Sequence, residues 1–134
     1  MVINQKDINA NVKSALAEDV GSGDVTAELI PEEALASATL ITREHAVIAG
    51  CQWFNEVFNQ LPHTTTINWN VADGDVVAPG QTLCTIEGSA RSLLTGERTA
   101  INFLQTLSAT ATTVASFVDI IKDTETKILD TRKT

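Results

Sequence analysis

SLLTGERTAINFLQTLSATATTVASFVDII, residues 92–121, is a long apolar and hydroxyl-rich run, and KILDTRKT, residues 127–134, follows it after a short polar break. The two together decide the fold. Ser92 is positioned to cap a helix, with Glu97 near its positive end. Leu94, Ile101, Leu104 and Leu107 or Ser108 then fall on one helical face. The stretch SATATT, 108–113, is small and hydroxyl-rich, which predicts a kink or a close contact with a neighbouring element. Val114, Phe117, Val118 and Ile121 resume the spacing, Asp123-Thr124 ends the helix, and Lys127-Ile128-Leu129 starts a strand with polar residues at its C-terminal end. A lone strand leaves its backbone groups unpaired. A helix feeding such a strand is also how an α/β barrel begins, with its chemistry at the C-terminal ends of the strands. The expectation is therefore a second domain whose first strand is 127–134.

Upstream, the chain reads as a small α+β unit to about residue 88. DINANVKSALAEDV, 7–20, is a helix behind an Asp7 cap, and GSGDVT breaks it. Alternation through Ala38, Leu40 and Thr42, then the run Ala46–Ala49 beyond a turn at Arg43-Glu44-His45, predicts a hairpin. Glu32-Glu33 after Pro31 reads as a helix first turn. CQWFNEVFNQL sets Trp53, Phe54, Val57, Phe58 and Leu61 on one helical face, and Pro62 stops it. TTTINWNV alternates as a strand, and residues 73–88 hold two Gly-containing turns around short β segments.

With 134 residues, 43% of them hydrophobic and 4% aromatic, the chain can bury an aliphatic core. No uninterrupted apolar run approaches ~18 residues, so no membrane span is expected, and Met1-Val2-Ile3-Asn4 is unlike a secretory leader. Cys51 and Cys84 stand alone, as small buried thiols in a reducing cytoplasm do. The net charge of −8 argues against nucleic acid or an anionic membrane as partner. That charge is uneven: residues 1–88 carry twelve acids against Lys6, Lys13 and Arg43, whereas 89–134 carry five acids against six bases. Anion-binding chemistry therefore belongs to the last third. Arg132 and Lys133 could converge on one anion from a loop at a barrel mouth, Arg as a planar fork and Lys as a compact charge. Arg98 is the next candidate, although from spacing alone an ordinary intrahelical or surface ion pair is the simpler explanation. His45 and His63 lack partners at metal-ligand spacing and read as surface residues. Phosphate-loop, dinucleotide-loop and nucleophile-elbow motifs are absent. DGDVVAPGQTLCTIEG, 73–88, is similar to the hairpin of lipoyl and biotinyl carrier domains, yet no lysine lies between Lys13 and Lys122, so a swinging-arm carrier is disfavoured.

Four stretches in order, EDVGSGDVT (18–26), VIAG (47–50), LLTGERTAINFLQTLSATATT (93–113) and KILDTRKT (127–134), resemble quinolinate phosphoribosyltransferase, the decarboxylating nicotinate-nucleotide pyrophosphorylase. The resemblance spans the whole chain and about the N-terminal half of the family's usual length. It implies an α+β fold: an open α/β sandwich with a four-stranded sheet and helices, followed by a long helix and the first strand of a truncated C-terminal α/β barrel. On that basis 1–112 is the sandwich domain with its linking helix, and 113–134 starts the barrel. The implied reaction joins quinolinate and phosphoribosyl pyrophosphate to give nicotinate mononucleotide, pyrophosphate and carbon dioxide, with Mg²⁺ on the pyrophosphate, in NAD biosynthesis. Arg98 matches an arginine that reaches the neighbouring subunit's site in a homodimer. Thr131, Arg132 and Lys133 match a substrate-binding loop, while the catalytic and metal residues belong to later barrel strands. The resemblance implies that residues 1–134 alone are inactive. A nicotinate-specific or molybdenum-transport-associated relative and a non-catalytic capping module are the alternatives.

Overall fold

A computed structural model describes residues 3–130. Helix α1 (Gln5–Val20) leads into a single-turn helix α2 (Val25–Glu28), strand β1 (Leu35–Ile41) and a short strand β2 (Ala46–Val47). Helix α3 (Cys51–Asn59), strands β3 (Thr65–Trp69), β4 (Val76–Val77) and β5 (Thr82–Ser89), and the long helix α4 (Ala90–Ile121) complete the order. The mixed α+β class is as expected.

Among the described residues the strands form an antiparallel three-stranded sheet, β1-β5-β3, and a separate two-stranded ribbon, β2-β4, rather than one four-stranded sheet. The hairpin expected between β1 and β2 does not form: β1 pairs with β5 from Leu35↔Ser89 onward, and β2 pairs with β4. The carrier-like hairpin of 73–88 fails for the same reason, since β4 and β5 have different partners. Local alternation identifies a strand but not its partner, and here the partners are distant in sequence. β3 keeps the expected alternation of half-buried and exposed residues.

Helix ends differ in detail. Asn4, not Asp7, caps α1, accepting from the Lys6 amide at 3.0 Å, and Ser89, not Ser92, caps α4. Asp24 caps the unforeseen α2, while Glu32-Glu33 lies in a turn, not a helix. α3 presents Phe54, Val57 and Phe58 to the core as expected, with Trp53 and Leu61 packed at its edge. Gly50, at φ +106°, starts α3 where a Cβ would meet Leu107 Cδ1 at 2.8 Å.

α4 is the spine, packing against α1, α2, α3 and strands β1, β2 and β5. Its buried stripe is Ser92, Leu93, Gly96, Thr99, Ala100, Leu104 and Ser108. Leu94 and Ile101, expected inside, are 40% and 39% exposed. The reason is spacing: a Cβ on Gly96 would lie 2.8 Å from Phe58 Cε1, so only small residues let α4 approach α3. The helix continues unbroken through 108–113, and the expected close contact forms there. Ser108 Oγ accepts from the Ala49 amide (3.0 Å) and donates to the Ala49 carbonyl, while Thr112 Oγ1 accepts from the Val47 amide at 2.9 Å.

Beyond the sheet domain, Val114, Phe117, Val118 and Ile120 are exposed. Although no single apolar run is long, α4 as a whole is long and apolar enough to cross a membrane, with mean hydropathy 1.2 in its most apolar window. Lys127-Ile128-Leu129 forms no ladder, contrary to expectation, because no described strand lies beside it. Residues 126–130 instead border an open hollow with the Val114, Val118 and Ile121 face of α4.

Candidate functional site

Residues roughly 100° apart on a helix recur on one face every three or four positions. Arg98, Ile101, Asn102, Gln105 and Ala109 thereby share the exposed face of α4, away from the small buried stripe. Arg98 is exposed, and among the described residues it makes no ion pair within 4 Å. The alternative of an ordinary helix-surface pair is therefore not what this helix adopts at Arg98. The guanidinium lines a shallow concavity of about 500 Å³ together with Asp19, Glu97, Ile101, Asn102 and Gln105. A neighbouring groove of about 460 Å³ runs between α4 and the Arg43–His45 bend, sharing Ile101 and Gln105 and floored by Leu40, Ile48 and Leu104. The two hollows adjoin at Ile101 and Gln105, with Arg98, Asp19 and Glu97 around one and Arg43, Glu44 and apolar side chains around the other.

The α1–α2 connection holds the Arg98 turn. Asp24 Oδ1 accepts from the Thr26 and Ala27 amides at 3.1 and 3.2 Å, and its Oδ2 accepts from Thr95 Oγ1 at 3.0 Å. Asp19 Oδ2 accepts from Thr99 Oγ1 at 2.5 Å. The Ala27 amide and the Thr95 hydroxyl, with smaller help from Thr26 and the Arg98 charge, hold the Asp24 carboxyl below its ordinary range. Asp19, Asp24, Thr95 and Thr99 were not singled out from composition or spacing. Their signal is the EDVGSGDVT and TGERTA stretches, whose residues meet across 71 and 80 positions of sequence.

The other candidates separate from these hollows or fall outside the described residues. Thr131, Arg132 and Lys133 lie outside them. His45 is exposed at the groove's rim, and the His63 carbonyl accepts from Ser92 Oγ. No group of three or more His, Cys, Asp or Glu converges to hold a metal ion among the described residues. Burial, then the nearby Asp73, raises the Cys51 thiol far above its ordinary value, and burial pushes Cys84 up to about 11, so neither is a poised nucleophile.

Comparison with known proteins bears on this surface. Residues 24–108 match the family model for the quinolinate phosphoribosyl transferase N-terminal domain, which takes in β1 to β5 and the Arg98 turn. The chain is 34% identical over 117 residues to a probable nicotinate-nucleotide pyrophosphorylase (carboxylating) of Bacillus subtilis, covering 87% of this chain and 40% of that protein. A Mycobacterium leprae nicotinate-nucleotide pyrophosphorylase is 36% identical over 129 residues, covering 92% of this chain and 45% of its own. The solved nicotinate-nucleotide pyrophosphorylase of Francisella tularensis superimposes with a TM-score of 0.93 at 39% identity, over 99% of this chain and 48% of that one. The chain thus spans less than half the length of these relatives. The matched sequence and the shared fold agree, and the chain belongs to the quinolinate phosphoribosyltransferase family, whose N-terminal domain it carries.

Proposed function

We propose that the protein containing this chain transfers the 5-phosphoribosyl group of phosphoribosyl pyrophosphate to the ring nitrogen of quinolinate, with loss of carbon dioxide, and that this chain supplies Arg98 to the site. The observation that carries the reading is an exposed, unpaired arginine held on a rigid helix beside these adjoining hollows. Quinolinate is a dianion, and a guanidinium offers one of its carboxylates two parallel hydrogen bonds.

The chemistry asks mainly for placement and charge. Pyrophosphate leaves C1 of the ribose, positive charge develops there, and the pyridine nitrogen supplies the electron pair for the new bond. No covalent enzyme intermediate is required. The bond to the 2-carboxylate then breaks. Its electron pair remains on the ring carbon beside the quaternised nitrogen, and a proton takes its place. Arg98 holds a carboxylate while this occurs; Thr131, Arg132 and Lys133 are further substrate contacts in this reading. Mg²⁺ accompanies the pyrophosphate, but the described residues offer no ligand set for it, and no step here runs through it.

The working unit in this reading is a cytoplasmic homodimer in which Arg98 enters the neighbouring subunit's site. Residues 113–134 open the barrel domain, and the uncovered Val114, Phe117, Val118 and Ile120 face of α4 packs on protein rather than lipid. Expression of the whole reading frame that encodes residues 1–134 tests the proposal. Supplied with Mg²⁺, phosphoribosyl pyrophosphate and quinolinate labelled at the 2-carboxylate, it should release labelled carbon dioxide and form no nucleotide from nicotinate. Residues 1–134 alone should release none. Preference for nicotinate would move the function to a sister family, and absence of any turnover would favour a capping module.

A further inference from the structure

We propose that Asp19 and Asp24 are positioning residues for Arg98, forming a two-point clamp through Thr99 and Thr95 that fixes the rotation of the α4 turn bearing the guanidinium. The proposal rests on the role of Arg98 given above. Thr95 and Thr99 sit four residues apart, one turn above the other on the same helical side, and Arg98 lies between them in sequence. Each hydroxyl donates to a different carboxylate, Thr95 to Asp24 at 3.0 Å and Thr99 to Asp19 at 2.5 Å. Each bond is made off the helix axis and so restrains rotation about it, and the second, one turn away, also restrains tilt. Thr99 is 2% exposed, so its hydroxyl depends on Asp19 for a partner.

The anchor side is equally constrained. The other oxygen of Asp24 is already bound by the Thr26 and Ala27 amides at the start of α2, so the oxygen facing Thr95 has little freedom. Asp19 ends α1 one residue before its last, and α1 is pinned in the core by Ile8 and Val12. Both carboxylates also lie on the Arg98 side of α4. Asp19 lines the same concavity, and the Arg98 charge contributes to holding the Asp24 carboxyl low. Neither approaches within 4 Å of the guanidinium. The arginine is thus steered without being neutralised, which leaves its fork open for an incoming carboxylate.

The test uses the whole reading frame with Thr95→Val and Thr99→Val, each of which removes one hydroxyl from the clamp at nearly constant volume. Each should raise the quinolinate KM by about tenfold and leave the phosphoribosyl pyrophosphate KM within about twofold, whereas Thr95→Ser and Thr99→Ser should behave as wild type. In an Arg98→Ala background the same substitutions should add less than about twofold. Equal effects on both substrates, undiminished effects without Arg98, or loss of thermal stability alone would overturn the clamp. A readout independent of turnover is the order of the Arg98 Nε–H bond in residues 1–134, measured by nitrogen relaxation. It should fall in Thr99→Val and Thr95→Val, and an unchanged value would refute the clamp. An enzyme that ignores quinolinate while these variants still loosen Arg98 would refute the substrate assignment and retain the clamp.

Discussion

Replacing Gly96 by alanine sets two opposing effects against each other at one methyl group. In a helix interior alanine is favoured over glycine by about 1 kcal/mol, so an exposed Gly96 would gain from the change. Gly96 is buried, and its new Cβ would stand 2.8 Å from Phe58 Cε1, 2.9 Å from Leu61 Cδ1 and 3.1 Å from Phe58 Cδ1. Comfortable carbon contacts lie at about 3.5–4.0 Å. Leu61 is half-buried and can swing aside. Phe58 cannot: it is 3% exposed, its ring is 5.4 Å from Phe54, and Phe54 in turn is 5.2 Å from Trp69. Trp69 is fixed by its indole N–H, which donates to Asn55 Oδ1 at 2.8 Å. Overpacking costs about 1–3 kcal/mol, and this aromatic chain places the site toward the upper end. The net expectation is a loss of about 1–2 kcal/mol, or a Tm lower by roughly 3–10 °C for a domain of this size. Urea and thermal unfolding of residues 1–134 measure it, with an unchanged m-value. In a Phe58→Leu background the alanine should become neutral or stabilising, a coupling of at least about 1 kcal/mol. A higher Tm for Gly96→Ala in the native background would refute the close-approach argument.

Ser108→Ala should cost about 1–3 kcal/mol in chemical unfolding, because it strands both the amide and the carbonyl of Ala49; a neutral result would mean that water replaces the hydroxyl. Both thiols should resist alkylation at neutral pH in the folded chain and label fully in denaturant, since half-buried Cys51 and buried Cys84 titrate above the ordinary thiol value; fast labelling of the native chain would contradict those raised values. Asp24 titrates below its ordinary 3.8, so in acid the unfolded chain takes up this proton first. Its stabilisation is complete above that ordinary value and is lost as pH falls through the depressed one. The Tm gap between wild type and Asp24→Asn should accordingly be constant near neutrality and close in acid, and a gap unchanged down to pH about 2 would remove the charge from the account.

The elements that could be read from sequence are those whose signal is local. The α3 stripe and the β3 alternation depend on side chains a few positions apart, and both appear as expected. The pairing of β1 with β5 depends on residues some fifty positions away, so the neighbouring run at Ala46 was the natural but incorrect partner. α4 misleads in another way. Its largest apolar residues invite burial, yet Leu94 and Ile101 are substantially exposed while Gly96, Ala100 and Ser108 are inside. Hydrophobicity ranks residues by transfer free energy, whereas a close helix contact selects by size, and where the two disagree the tight contact decides. Arg98 was legible as a cation in a region relieved of acid. That it stands unpaired, and that carboxylates from the α1–α2 connection flank its turn, required the fold.

These points converge on a property of α4 that neither its core side nor its outer side reveals alone. Gly96 and Arg98 are two residues apart, roughly 200° around the helix, so one faces Phe58 while the other faces outward. A rigid helix cannot turn one without turning the other. The small residues that let α4 sit against α3, the Ser108 and Thr112 hydroxyls that tie it to the β2 region, and the Asp19 and Asp24 contacts all restrain the same rotation. Packing and presentation of the arginine are therefore one mechanical variable. With the role proposed for Arg98, a helix that departs from a simple apolar stripe follows: residues that only bury area would hold α4 in place without specifying the direction in which Arg98 points.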